Sequence, residues 1–212
     1  MIMCTCNKTG FRAAETEESI TMQQILAVTS RHLCSRPLPA QMERICSLRP
    51  RAVILREKDL EEEEYARLAE EIMKICREHH IPCILHTFID TARKLNCPAI
   101  HLPLPLLRKY QNQLDSFTVT GTSIHSVDEA MEAQKLGATY ITAGHIYATD
   151  CKKGLPPRGT AFLRSVCENV SIPVYAIGGI RLDGTQPDEE QMHEIMECGA
   201  AGGCIMSGMM EI

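Results

Sequence analysis

Gly121-Thr-Ser-Ile-His-Ser-Val-Asp-Glu-Ala130 follows the apolar run Phe117-Thr-Val-Thr120 and passes into a helical pattern at Val127. A short β-rich run that leads through a polar turn into a helix is one βα unit of a parallel α/β fold. The next unit repeats it. Tyr140-Ile-Thr-Ala143 leads into Gly144-His-Ile-Tyr-Ala-Thr-Asp-Cys-Lys-Lys-Gly154, a long polar loop. Two consecutive strand ends thus bring together Ser123, His125, His145, Cys151 and Lys152, where a parallel α/β fold places its chemistry.

The same alternation extends in both directions. Strands are expected at 24–29, 51–55, 82–85, 99–102, 117–121, 140–143, 174–177 and 203–206. Helical patterns lie between them at 37–48, 60–79, 90–95, 104–114, 127–136, 160–169 and 188–198. In the second helix Leu60, Leu68, Ile72 and Ile75 stand near helical spacing. Asp59 is placed to cap it, and Glu61 to Glu64 load the first turn, where the helix dipole favours anions. Gly137 and Gly199 read as left-handed helix stops. The strands show almost no polar alternation, as expected when both faces are buried. Eight such units predict a single-domain (β/α)8 barrel over residues 21–212, preceded by a polar N-terminal extension at 1–20. Only residues 207–212 follow the last expected strand, so a truncated eighth helix is expected. The surface left there is expected to be covered by the extension or by another subunit of a homodimer or higher homo-oligomer.

The charge balance narrows the partners. A formal net charge of -5 and a pI near 5.9 give no reason to expect nucleic acid or an anionic membrane. No apolar run is long enough to span a bilayer, and the first residues lack the pattern of a secretory signal, so a cytoplasmic protein is expected. The 11 cysteines then read as free thiols. Cys4 and Cys6 form a C-x-C with no second pair to complete a zinc site.

Candidate site residues cluster at strand ends. Gly178-Gly179 follows the seventh strand and Ser207-Gly208 the eighth. Loops after these two strands are the usual phosphate site of this barrel, and glycine lets backbone amides approach an anion. His125, just past the fifth strand, can take and give a proton near neutrality. Arg56 and Lys58, and Lys152 with Lys153, are either surface networks or anchors for a substrate anion. Cys151 beside two lysines is a candidate nucleophile, and His101, followed by apolar residues, reads as core or as a layer just behind the site.

Taken together, Leu55-Arg-Glu-Lys58, Ser123-Ile-His-Ser126 with Glu129-Ala130, Gly144 to Lys152, Ala176-Ile-Gly-Gly-Ile180 and Met206-Ser-Gly208 resemble the thiamine phosphate synthase superfamily from about Gln24 onward. His145, the run Thr149-Asp-Cys-Lys-Lys-Gly-Leu155 and Arg158-Gly159 are most similar to its TenI-like branch of thiazole tautomerases. The synthases of that superfamily hold pyrimidine pyrophosphate and Mg²⁺ with a Gln in strand two, an Asn-Asp pair after strand three and an Asp after strand four. Here those places carry Ile54, His86-Thr87 and Pro103 to Leu106. The resemblance therefore implies an isomerase that aromatises a carboxylated dihydrothiazole phosphate without metal or cofactor. His125 would carry the proton. Arg56, Lys58, Ser123, His145, Thr149, Cys151 and Lys152 would bind substrate, and Gly178, Gly179, Ser207 and Gly208 would bind its phosphate. Two alternatives stand beside it: a transferase making thiamine phosphate, and a non-catalytic binder of thiazole or thiamine phosphate.

Overall fold

A computed structural model describes residues 20–212. The expected N-terminal extension and the Cys4/Cys6 pair lie outside the described residues, apart from Ile20. Eight parallel strands close into a barrel: β1 (Ile25–Val28), β2 (Ala52–Leu55), β3 (Cys83–His86), β4 (Ala99–Pro103), β5 (Val119–Ile124), β6 (Tyr140–Gly144), β7 (Val174–Ile177) and β10 (Gly202–Ile205). They run in chain order around the ring, and β10 returns beside β1 with Ile25 opposite Gly203. The expected (β/α)8 barrel is the fold of this chain.

The strands are short because each spans only the barrel wall. β1, β2, β6 and β10 are buried at every position, one face packing into the barrel and the other under a helix. The outer layer is α1 (Leu38–Ser47), α2 (Glu62–Glu78), α3 (Ile89–Lys94), α4 (Leu104–Tyr110), α5 (Val127–Lys135), α6 (Gly159–Asn169), α7 (Glu189–Glu197) and α8 (Ser207–Glu211). In α2 the buried stripe is Tyr65, Ala69, Ile72, Ile75 and Cys76, while Leu68 sits half-buried at its flank and Leu60 precedes the helix. Glu62, Glu63 and Glu64 do occupy the first turn. Asp59 does not cap it. Its carboxylate accepts from Arg31 at 2.8 and 2.6 Å and contacts His32 at 2.8 Å, because a bidentate guanidinium is a stronger partner than a helix amide two residues further on.

β5 differs most from expectation. It starts at Val119 and runs three residues beyond Gly121, pairing Ser123 with both Pro103 and Thr142. Gly121 therefore does not end the strand. A Cβ there would overlap the Tyr140 ring from the neighbouring strand, so glycine opens a notch that the tyrosine fills. A two-stranded hairpin, β8 (Leu182–Asp183) with β9 (Gln186–Pro187), interrupts the connection from β7 to α7. Its Asp-Gly turn, with Gly184 at positive φ, is a common hairpin signal that the strand-and-helix alternation hid. The short α8 is held by Gln41 of α1, whose Nε2 donates to the Met209 carbonyl at 2.6 Å. No helix among the described residues is long and apolar enough to cross a membrane.

Candidate active site

The carboxyl ends of the strands carry the candidate residues, and β5 supplies two. Ser123 is inside the strand, half-buried, with its Oγ 2.9 Å from His101 Nε2 and accepting from Thr142 Oγ1 at 2.9 Å. His125 lies just past the strand and is exposed. Its Nδ1 bonds the Gly144 carbonyl at 2.9 Å, and its backbone amide donates to Glu129 at 2.5 Å. A carbonyl can only accept, so Nδ1 carries a proton, and it is the neutral ring in which Nε2 offers a lone pair.

On β2 the run Leu55-Arg-Glu-Lys58 divides. Glu57 turns inward and is almost completely buried, accepting from the Arg31 amide at 3.0 and 3.1 Å and from its guanidinium at 3.1 Å. The expected network between Glu57 and its sequence neighbours therefore does not form, because Arg31 comes from the loop after β1 to take the carboxylate. Arg56 and Lys58 have no carboxylate partner among the described residues, nor does Lys152, whereas Lys153 pairs with Asp150 at 3.4 Å.

The loop after β6 is tied down along its length. Ile146 and Tyr147 donate to the carbonyls of Ile177 and Gly178 at 2.9 and 3.0 Å, and Arg158 donates to His145 at 2.9 Å. The His145 ring faces its own loop, with Nε2 3.3 Å from the Leu155 carbonyl. Thr149 precedes a short 3-10 turn, and Cys151 brings its thiol 3.7 Å from Ser207 Oγ, linking this loop to the start of α8. Gly178 and Gly179 both have positive φ, and a Cβ on either would strike the His145–Ala148 backbone or its side chains. These glycines thus admit a neighbouring loop. Their amides donate to no other group among the described residues. Met206 separates β10 from Ser207, so Ser207-Gly208 opens α8 and does not adjoin the strand.

His101 lies in the layer beneath, as its apolar surroundings in the sequence suggest, but its partners there are not legible in the sequence. His86 and His101 stack at 5.4 Å, both buried, and His101 Nδ1 lies 2.9 Å from Tyr140 Oη. Burial lowers the His101 pKa to about 3, with Arg56 adding to it. Burial, then the nearby His101, Arg56 and Lys58, push His86 well below its ordinary value. Both rings are neutral at pH 7. For His86 the only signal in the sequence was its position at a strand end.

The donor set does not fit a magnesium ion. The positions that the resemblance assigns to it hold Ile54, a neutral His86 whose Nδ1 is 2.6 Å from Thr87 Oγ1, and the apolar start of α4. Mg²⁺ is a hard cation that takes oxygen ligands, carboxylates above all. Among the described residues no cluster of three or more His, Cys, Asp or Glu is grouped to hold a metal.

Comparison with known proteins corrects the expected activity. The chain is 33% identical over 161 residues to the thiamine-phosphate synthase of Clostridium acetobutylicum, covering 74% of this chain and 72% of that one. It is 34% identical over 159 residues to the thiamine-phosphate synthase of Shouchella clausii, covering 72% and 71%. These relatives are named as thiamine-phosphate synthases, not as tautomerases. They overturn the expectation of a thiazole tautomerase and, with it, of an isomerase. The fold is shared with a thiamine phosphate pyrophosphorylase from Pyrococcus furiosus, with a TM-score of 0.74 at 24% identity over 90% of this chain and 89% of that one. The family model for thiamine monophosphate synthase matches residues 25–209, from the first barrel strand to the last short helix, and the chain belongs to that family.

Proposed function

We propose that this protein is a transferase that joins a phosphorylated thiazole to a pyrimidine carrying a pyrophosphate. A bond forms between the thiazole ring nitrogen and the pyrimidine methylene carbon, the carbon–oxygen bond to pyrophosphate breaks, and pyrophosphate leaves with the electron pair. The observation that carries this reading is the set of cations Arg56, Lys58 and Lys152, which lack carboxylate partners among the described residues while Glu57 between the first two is turned away. A departing pyrophosphate needs positive charge in place before the bond breaks. The thiazole phosphate is assigned to the amides of Gly178 and Gly179 and to Ser207 and Gly208. The first two amides are otherwise unused.

Ser123 and the Nε2 lone pair of His125 are then positioned to orient the rings. Thr149, Cys151 and Lys152 belong to the loop beside the phosphate, with His145 helping to hold that loop. No step runs through a metal. One observation favours a second reading, a non-catalytic binder: the apolar and neutral residues at the synthase metal positions.

The test is a coupled assay for pyrophosphate release with both substrates present. Release that falls by about 10²–10³-fold in Arg56→Ala or Lys152→Ala supports the transferase. Tight calorimetric binding of thiazole phosphate with no pyrophosphate released would leave the binder standing and end the transferase reading.

A further inference from the structure

Below the barrel mouth lies a polar chain of which the function above uses only Ser123. Tyr140 Oη is 2.9 Å from His101 Nδ1, His101 Nε2 is 2.9 Å from Ser123 Oγ, and Thr142 Oγ1 is 2.9 Å from the same Ser123 oxygen. His101 comes from β4, Ser123 from β5, and Tyr140 and Thr142 from β6. Tyr140, His101 and Thr142 are at most 5% exposed. A hydroxyl so far from water must give its hydrogen to a partner, because an unpaired buried donor costs its full desolvation.

That requirement leaves one order of protons. Among the described residues the sole partner of the Tyr140 hydroxyl is His101 Nδ1, so the phenol donates and Nδ1 accepts. A neutral imidazole has one donor and one acceptor nitrogen, so Nε2 bears the hydrogen and donates to Ser123. The sole partner of the Thr142 hydroxyl is also Ser123, so it donates as well. Both lone pairs of the Ser123 oxygen are then filled from inside the protein. Its own hydrogen has no acceptor among the described residues.

We propose that His101 is a positioning residue, held in one tautomer by Tyr140, that makes Ser123 a hydrogen-bond donor only and so selects a ligand atom that accepts, such as a bare ring nitrogen or an oxygen. Which ligand this is rests on the transferase reading, but the proton order does not. The low pKa of His101 is consistent with it, since an imidazolium could not accept from Tyr140. Gly121 belongs to the device, because its missing Cβ is what lets the Tyr140 ring reach across to β4.

Nitrogen-15 NMR of the full chain with labelled histidine tests the tautomer without any turnover. Through-space contacts to the Tyr140 ring identify His101. The expected spectrum is the neutral Nε2–H form at pH 7, unchanged at pH 5, with Tyr140→Phe moving the Nδ1 resonance alone. An Nδ1–H form, an imidazolium at pH 7, or an Nδ1 signal indifferent to Tyr140→Phe overturns the proposal. The wild-type spectrum decides the tautomer even if the variant fails to fold. For the donor role, Ser123→Ala is titrated with thiazole phosphate and with pyrimidine pyrophosphate. A loss of about tenfold or more is expected for at least one, the worth of a single hydrogen bond. Unchanged affinity for both removes the donor role, whatever the pyrophosphate assay has shown.

Discussion

A glycine and a histidine carry the sharpest expectations at the scale of single residues. Gly121→Ala puts a methyl group into the Tyr140 ring, and overpacking of this kind costs about 1–3 kcal/mol. Urea unfolding of Gly121→Ala, Tyr140→Ala and the double variant measures it, and the double variant should be more stable than the sum of the two single losses predicts. Equal additivity would mean that the ring has room to move aside. His101 gives a pH dependence. Its pKa is about 3 when folded and near 6.5 when unfolded. Between those values the unfolded chain binds a proton that the folded chain refuses, so stability is full above pH 6.5 and is lost as pH falls towards 3. His86 acts in the same direction. His101 contributes a slope of about 1.4 kcal/mol per pH unit in that window. Urea midpoints between pH 7 and pH 4.5 should therefore fall, and fall less steeply in His101→Asn.

Among elements, the loop after β6 and the turn after β7 behave as one unit, since Gly178 and Gly179 exist in their conformations to seat residues 145–148. Gly179→Val therefore does more than intrude on a bound phosphate. It should weaken thiazole phosphate binding in calorimetry, cost about 1–3 kcal/mol of stability, and speed hydrogen exchange at the Ile146 and Tyr147 amides that β7 and its turn secure. Exchange that stays slow at both amides would show that the turn can take the side chain without releasing the loop. How much of this was legible in the sequence follows from range. Local pattern revealed every barrel strand and the first seven helices, because both depend on neighbours within a few residues, while the five-residue α8 is too short to show a period. The extent of β5 was hidden, since its last three residues are strand only through pairing with β4 and β6. Glu57 was read with Arg56 and Lys58 because they are adjacent, while its partner Arg31 lies 26 positions away. The cluster of His101, Tyr140, Ser123 and Thr142 joins three strands and had no local trace. The activity was harder to read for a related reason: the missing metal carboxylates favour the tautomerase over the synthase kept as its alternative, whereas likeness over most of the chain makes it a member of the thiamine monophosphate synthase family.

At the scale of the whole molecule, the closed ring determines both what binds and how the chain is assembled. With no three or more carboxylates or other ligands grouped to hold a metal among the described residues, titration of the protein alone with MgCl2 should give no saturating heat below about millimolar concentration. Saturation in the micromolar range would reveal an oxygen site that the strand ends do not suggest. The ring also has a seam, because β1 pairs with β10 and Ile25 faces Gly203 across it. During synthesis the partner of β1 on that side is the last strand to be made. At about 5–20 residues per second the delay is on the order of ten to a few tens of seconds. Through that interval the nascent sheet is open, with β1 bare on one side and the most recently made strand, finally β7, bare on the other, each able to recruit a strand from a neighbouring chain. The finished barrel has no edges, so the hazard of aggregation for this protein is concentrated in the moments before its last strand arrives.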